Sequence, residues 1–269
     1  MREKQPSANE LLAIAEALEP GLALAAKAIL DRYHLPDHQI QTKPDHSPVT
    51  DADLASHDIL LEALNRVTPF WPVISEEDTD VGSLASSEGS SANGSLLALP
   101  GPYWLVDPLD GTKEFIGRTG EFSINLGLVF EQKPIFGLLF GPVTDVLYRG
   151  GAGVMAERRT PAEGWIRIQC RSRPPDGGVV ISSRRSASSP DSETFARRDH
   201  LGSALKFGRI AEGNADVYLR RGPTMEWDTC AGHAIVEAAG GHVRTIDNQE
   251  LHYGKANRLN PGFVVRGRA

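Results

Sequence analysis

The stretch Trp104-Leu105-Val106-Asp107-Pro108-Leu109-Asp110-Gly111-Thr112-Lys113-Glu114 decides how the chain is read. An apolar, β-prone run ends on an aspartate, and a second aspartate follows three residues later. Pro108 between them fixes φ and offers no N–H, and Gly111 permits a tight turn. This spacing aims two carboxylates into one cleft and exposes the Leu109 carbonyl. Gly111-Thr112-Lys113-Glu114 can open a helix whose first N–H groups favour a phosphate. Standing alone, the stretch would equally read as an aspartate-rich turn with an Asp N-cap.

It does not stand alone. Trp71-Pro72-Val73-Ile74 reads as a strand that delivers Ser75-Glu76-Glu77 at its end. Asp228 begins a helix after Glu226-Trp227, and Asp51 and Asp53 close Ser47-Pro48-Val49-Thr50-Asp51-Ala52-Asp53. Each has a plain alternative as a solvated turn or a helix cap. Gathered at one place, these carboxylates cannot all stay ionised, because like charges raise one another's pKa. Divalent cations resolve the conflict. Hard oxygen donors without clustered His or Cys select Mg²⁺ over zinc. Glu76, Asp107, Asp110 and Asp228 are four negative charges, which two Mg²⁺ balance. A phosphate monoester brings about −2 more, leaving room for a third, weaker ion. Cys230 and His233 lie one helical turn apart, but no further Cys or His stands at ligand spacing to make a zinc site.

Outward from these motifs, the 269 residues allow one large domain or two small ones. The chain carries 28 Lys and Arg against 35 Asp and Glu, a net −7, and no basic stripe to bind nucleic acid. Two cysteines do not make a disulfide framework. No apolar run approaches the roughly 20 residues of a membrane span, and the start leads into an amphipathic segment rather than a signal-peptide core. A cytoplasmic protein with a reduced interior is expected.

The periodicity predicts a helix capped by Asn9, with apolar positions Leu11, Leu12, Ala15, Leu18, Leu22, Ala25, Ala26 and Ile29 and a break at Pro20-Gly21. Residues 41–51 read as a polar loop containing His46, and 53–65 as a second helix. The Ser-, Gly- and Ala-rich stretch 81–102 reads as a mobile surface loop. Strands follow at 103–106, at 122–130 and 134–140 as a hairpin, and at 146–149 and 154–157. Basic, Pro- and Gly-rich 171–178 is the candidate boundary between an N-terminal part, 1–170, and a C-terminal part, 171–269. Beyond it come a strand at 179–181, a helix at 191–199, a strand at 215–220 and a helix at 229–239 stopped by Gly240-Gly241. Strands interleave with helices, so the fold class is α/β.

Ser47–Asp53, Ile74-Ser75-Glu76-Glu77, Trp104–Thr112 and Glu226-Trp227-Asp228-Thr229-Cys230-Ala231-Gly232 resemble, in order, the four signatures of the inositol monophosphatase superfamily. Asp110–Ile116, Gly120–Asn125, Leu205-Lys206-Phe207, Ala211-Glu212-Gly213, Ala215–Arg220, Gly222-Pro223-Thr224 and Leu259–Phe263 are similar to its CysQ-type 3′(2′),5′-bisphosphate nucleotidase branch. The resemblance implies a layered αβαβα sandwich and a Mg²⁺-dependent, lithium-sensitive phosphomonoesterase of sulfur metabolism. Its substrate would be a small phosphorylated nucleotide: the 3′-phosphate of adenosine 3′,5′-bisphosphate is removed to give AMP. Attack would be in line, by a water activated at the metals. An inositol monophosphatase or broader sugar phosphatase is the alternative, and a non-catalytic metal or nucleotide sensor a further one. Carried over, Glu76, Asp107 and the Leu109 carbonyl bind one metal, and Asp107, Asp110 and Asp228 a second. Asp53 and Thr112 activate the water, with Glu76 counted among the catalytic residues. Gly111 and Thr112 N–H groups cradle the phosphate, and Ser203, Lys206 and Arg220 hold the rest of the nucleotide. Where related nucleotidases carry Ser-Arg-Ser-His, this chain reads Ile181-Ser182-Ser183-Arg184-Arg185-Ser186. Arg184 or Arg185 stands there either as a replacement phosphate ligand or as a solvent-facing arginine.

Overall fold

A computed structural model describes residues 4–35, 40–42, 48–78, 99, 101–184 and 194–268. Helix α1 (Ala8–Tyr33) is capped by Ser7, not Asn9. Ser7 and Glu10 form a reciprocal capping box, which satisfies donors that Asn9 cannot reach. The break expected at Pro20-Gly21 does not occur. Pro20 and Glu16 are exposed, so the carbonyl that loses its partner faces water. Gly21 faces inward, where a Cβ would stand 2.6 Å from that of Ala63.

The polar stretch expected as loop carries a short antiparallel pair, β1 (Ile40–Thr42) and β2 (Pro48–Thr50). Residues 43–47, with His46, lie outside the described residues. Helix α2 (Asp51–Val67) starts two residues earlier than expected, capped by Thr50 with Asp53 at the third position. β3 (Val73–Ser75) follows. The loop expected over 81–102 falls largely outside the described residues.

The first sheet is a near-meander. After β3 come β4 (Tyr103–Asp110), the short helix α3 (Thr112–Ile116), β5 (Ser123–Phe130), β6 (Lys133–Gly141), β7 (Val146–Gly151), β8 (Val154–Thr160) and β9 (Gly164–Arg167). These seven strands lie side by side in chain order. Only β3 and β4 are parallel. Alternation along β4 decides the layering. Trp104 and Val106 join a core with α1 and α2, whereas Tyr103 and Leu105 join a second core on the other face.

The second sheet comprises β10 (Val179–Ser182), β11 (Arg197–His200), β12 (Val217–Arg220), β14 (His242–Thr245) and β16 (Phe263–Arg266), in the order β11-β10-β12-β16-β14. Between β11 and β12 lies helix α4 (Leu205–Ala211). A small pair, β13 (Thr224–Met225) with β15 (Leu259–Asn260), flanks helix α5 (Cys230–Ala238). Helices α4 and α5 fill the space between the two sheets, where Phe207, Ile235 and Val236 meet Leu105 and Leu139 from one side and Tyr218 and Phe263 from the other. Helix pair, sheet, helix pair and sheet thus stack as four of the five layers of the expected αβαβα sandwich; among the described residues no helix forms a fifth. The helix expected over 191–199 is corrected to strand β11 at its end, and 185–193 lie outside the described residues. Among the described residues no helix is long and apolar enough to cross a membrane.

Helix α5 approaches the first sheet at backbone distance because Gly127 and Gly137 sit opposite one another on β5 and β6. A Cβ on Gly127 would lie 2.5 Å from Cys230, and one on Gly137 only 2.2 Å from the Ala231 carbonyl. This contact sets where the start of α5, and Asp228 just before it, meets the ends of β3 and β4. Gly137→Ala is expected to lower stability by about 1–3 kcal/mol or more, the usual scale of overpacking, and to weaken activity by displacing Asp228. Urea denaturation and turnover measured on the same variant check both.

Candidate active site

A strand places residues three apart on opposite faces. Asp107 and Asp110 escape this because β4 carries a one-residue bulge. Asp107 pairs with Asn125 and Asp110 with Ser123, three steps on one strand against two on the other. Pro108, which cannot donate to the ladder, is the reason the register slips there. Asp107 Oδ1 accepts the Leu109 N–H at 3.1 Å, closing the bulge on itself.

Glu76 leaves β3 immediately beside it, its N–H donated to the Val106 carbonyl at 3.0 Å. Asp228 comes from the other half of the chain, its Oδ2 accepting the Met225 N–H at 2.9 Å. Carboxylate oxygens of Glu76, Asp107 and Asp228 lie within 4.8 Å of one another, a possible metal site. Burial, then the charges of Glu76, Asp110 and Asp228, hold the Asp107 carboxyl well above the usual carboxylate range. Asp228 is raised likewise, by burial and then by Asp110 and Glu76. Asp110 is pushed up to about 6 by burial, against the pull of Lys206. Its Oδ2 accepts the Ala204 N–H at 2.5 Å and Asn125 Nδ2 at 3.3 Å. An oxygen-only cluster, buried at Asp107 and half-buried at Glu76 and Asp228, whose members repel one another fits a hard dication.

Thr112 Oγ1 donates to Asp53 Oδ1 at 3.1 Å and also lies 3.4 Å from the Leu109 carbonyl. The other oxygen of Asp53 accepts the Thr50 N–H at 2.8 Å and the Thr50 hydroxyl at 2.6 Å. One carboxylate therefore caps α2 and reaches across to the loop after β4. Burial raises its pKa, which the Thr50 and Thr112 bonds oppose. Gly111 holds φ at +95°, with Phe122 and the Glu121 carbonyl packed where a side chain would go.

Beside the carboxylates opens a cleft of about 400 Å³, lined by Asp110, Gly111, Asp228, Ser203, Lys206 and Arg220 among others. The Lys206 ammonium is buried on α4, 5.1 Å from the Tyr218 ring centre, with its Nζ donating to the Leu201 carbonyl at 3.3 Å and to that of Ser203. Burial pulls its pKa down to about 8 even though Asp110 supports the charge. Arg220 Nη2 donates to the Pro223 carbonyl at 3.1 Å, but among the described residues its buried Nε finds no partner, nor does the Thr224 hydroxyl on the same wall. The Ser203 hydroxyl accepts the Leu205 N–H at 3.3 Å.

Arg184 takes the solvent-facing alternative. It is bidentate to Glu121, more than half exposed, and lines a different cavity. Arg185 lies outside the described residues. His233 is spent on the Tyr253 hydroxyl and Glu237, and Cys230 is a buried thiol against Gly127. Glu226 does not face the cleft. Its fully buried carboxylate pairs with Lys255 at 2.6 Å and Arg258 at 3.4 Å and anchors the chain before Asp228. Sequence reasoning missed Asn125 and the Ala204 N–H, which steady Asp110. Asn125 was visible as the residue that keeps strand phase with Ser123; the backbone donor carried no signal.

The carboxyl repulsion gives a stability prediction. Between pH 3.8 and the raised folded pKa values, the native state binds more protons than the unfolded chain, so stability falls as pH rises. In chelator at neutral pH, Asp107→Asn is expected to melt higher than wild type, by about 2–4 °C per kcal/mol relieved. With Mg²⁺ present the order reverses. Calorimetry with and without the metal reads the crossing.

Known proteins resemble this chain in sequence and fold. Residues 10–262 match the family model described as "Inositol monophosphatase family". The chain is 40% identical over 232 residues to the 3′(2′),5′-bisphosphate nucleotidase CysQ of Escherichia coli strain K12, covering 84% of this chain and 88% of that one. It is 41% identical over 229 residues to CysQ of Salmonella typhimurium, at 83% and 87% coverage. The crystal structure of CysQ from Bacteroides thetaiotaomicron superimposes with a TM-score of 0.77 at 32% identity, over 96% of this chain and 98% of that one. With the family model matched over residues 10–262 and relatives about 40% identical over most of the chain, the chain belongs to the inositol monophosphatase family.

Proposed function

We propose that this protein is a 3′(2′),5′-bisphosphate nucleotidase that hydrolyses the 3′-phosphate of adenosine 3′,5′-bisphosphate to AMP and phosphate. The observation that carries this reading is the cation-bearing cleft beside the carboxylate cluster. Lys206 and the orphaned Arg220 Nε provide there what a second phosphate needs. Glu76, Asp107, the Leu109 carbonyl, Asp110 and Asp228 would hold two Mg²⁺, with a third, weaker ion arriving with substrate. Bound there, Mg²⁺ supplies positive charge to the attacking and leaving oxygens of an in-line displacement.

The chain's own groups do the rest. Thr112 Oγ1, donating to Asp53, has lone pairs left to orient a water hydrogen. The raised pKa of Asp53 makes it a competent acceptor for the proton withdrawn. The Gly111 and Thr112 N–H groups would cradle the scissile phosphate, and Ser203, Lys206 and Arg220 would hold the 5′-phosphate and nucleoside. In this division residues 1–170 supply the water-activating pair and most metal ligands, and 171–269 supply Asp228 and the nucleotide contacts. The setting is cytoplasmic, where the nucleotide by-product of sulfate transfer arises, and lithium inhibits.

Phosphate release from adenosine 3′,5′-bisphosphate and from inositol 1-phosphate, with and without Mg²⁺, tests the reading. The nucleotide should be strongly preferred and turnover should need the metal; equal kcat/KM on both would favour a broad phosphatase. Thr112→Ala should lower kcat by roughly 10²–10⁴-fold. Lys206→Ala and Arg220→Ala should each lose about 10- to 150-fold in kcat/KM on the nucleotide, the worth of a charge-assisted hydrogen bond. Inositol 1-phosphate, with nothing to place there, should be nearly unaffected. Equal losses on both would assign these residues to the fold instead.

A further inference from the structure

Helix α2 presents more than Asp53 to the site. Asp53, Ser56, His57 and Leu60 follow the spacing of one helical face. Leu60 is buried in the first core, and each of the three polar side chains reaches a different segment. Asp53 meets Thr112. Ser56, fully buried, donates its hydroxyl to the Pro108 carbonyl at 2.8 Å, inside the bulge between Asp107 and Asp110. His57 Nδ1 hydrogen-bonds Ser75 Oγ at 2.9 Å, on the residue before Glu76.

The strand ladder stops just short of the ligands. The last β3–β4 pair is Ser75 with Val106, so Glu76 and Asp107 both lie one residue past it. Around Glu76 the chain closes on Ser75 instead. The Ser75 N–H donates to Asp78 Oδ2 at 2.7 Å, and the Glu77 N–H to Ser75 Oγ at 3.4 Å. The far nitrogen of His57, Nε2, stands 3.9 Å from Asp78 Oδ1. A carboxylate oxygen on that side favours the tautomer with its proton on Nε2, leaving Nδ1 to accept the Ser75 hydroxyl.

We propose that Ser56 and His57 are positioning residues for the metal site. They fasten the Asp107–Asp110 bulge and the Glu76 turn to one rigid helix face, and so set the carboxylate separation on which metal affinity depends. The proposal rests on reading Glu76, Asp107 and Asp228 as metal ligands.

The test uses the full chain and Mg²⁺ alone. The Mg²⁺ concentration that half-fills the site is measured without substrate by isothermal titration calorimetry, beside kcat and KM at saturating Mg²⁺. In Ser56→Ala and His57→Ala this midpoint should rise about 10- to 100-fold, with KM for the nucleotide nearly unchanged. His57→Asn, whose amide stands close to the place of Nδ1, should recover most of the loss. A wild-type midpoint in both alanine variants, with only the metal-free melting temperature lowered, overturns the proposal. Glu76→Gln separates the two layers of inference. If it shifts the midpoint and His57→Ala does not, positioning alone fails. If neither shifts it, the ligand reading itself is wrong.

Discussion

Repulsion between buried carboxylates is the constraint around which this molecule is arranged. Glu76, Asp107 and Asp228 are brought within 4.8 Å by three separate segments, with Asp110 close enough to raise two of them further. Nothing in the apolar cores recommends that arrangement. It persists because each acid is held by its backbone: Glu76 by the β4 carbonyl next to it, Asp107 by the bulge, Asp110 by Ala204, Asp228 by Met225. The fold spends structure to keep charges together, which is the usual mark of a site whose purpose is to receive a cation.

Beside the site, the segments before and after residue 171 are tied by a few polar bonds as well as by the shared core. Ala204 precedes α4, the helix that carries Lys206, and its N–H ends on Asp110. Glu121 binds the Gly202 N–H at 2.9 Å and the Arg184 guanidinium. Asp110 and the helix that carries Lys206 are therefore a single mechanical unit: a displacement of the 201–206 segment moves Asp110 as well. Arg184, which the sequence left open between a phosphate ligand and a solvent-facing arginine, here ties its loop to Glu121.

Much of the site was legible because its chemistry and its local structure coincide. Asp-Pro-Leu-Asp-Gly-Thr announces a strand end and a tight turn in consecutive residues, and Asp53 a cap; the bulge between the two aspartates and the Thr50 cap came only with the structure. The N-cap at Ser7 and the unbroken helix through Pro20 were not legible, since exposure of the Glu16 carbonyl depends on which face packs against α2. α4 hid for a different reason. Nearly every residue in Leu205–Ala211 is buried, so it shows no polar face to betray its period. β11, Arg-Arg-Asp-His, is an edge strand paired on one side only, and its charges disguise it. Hydrogen bonds supplied by backbone, as from Ala204, leave no trace in residue identity.

The bulge in β4 makes chain length, beside the identity of Pro108, a fragile variable. Because a single extra residue at Pro108-Leu109 brings Asp107 and Asp110 to one face, removing or adding one codon there would turn an intact pair of aspartates to opposite sides of the sheet. Substitutions at Leu109 that keep its backbone carbonyl would leave that phase untouched. The segment should therefore tolerate replacement far better than insertion or deletion, a bias set by the geometry of the pleat before any chemistry is done.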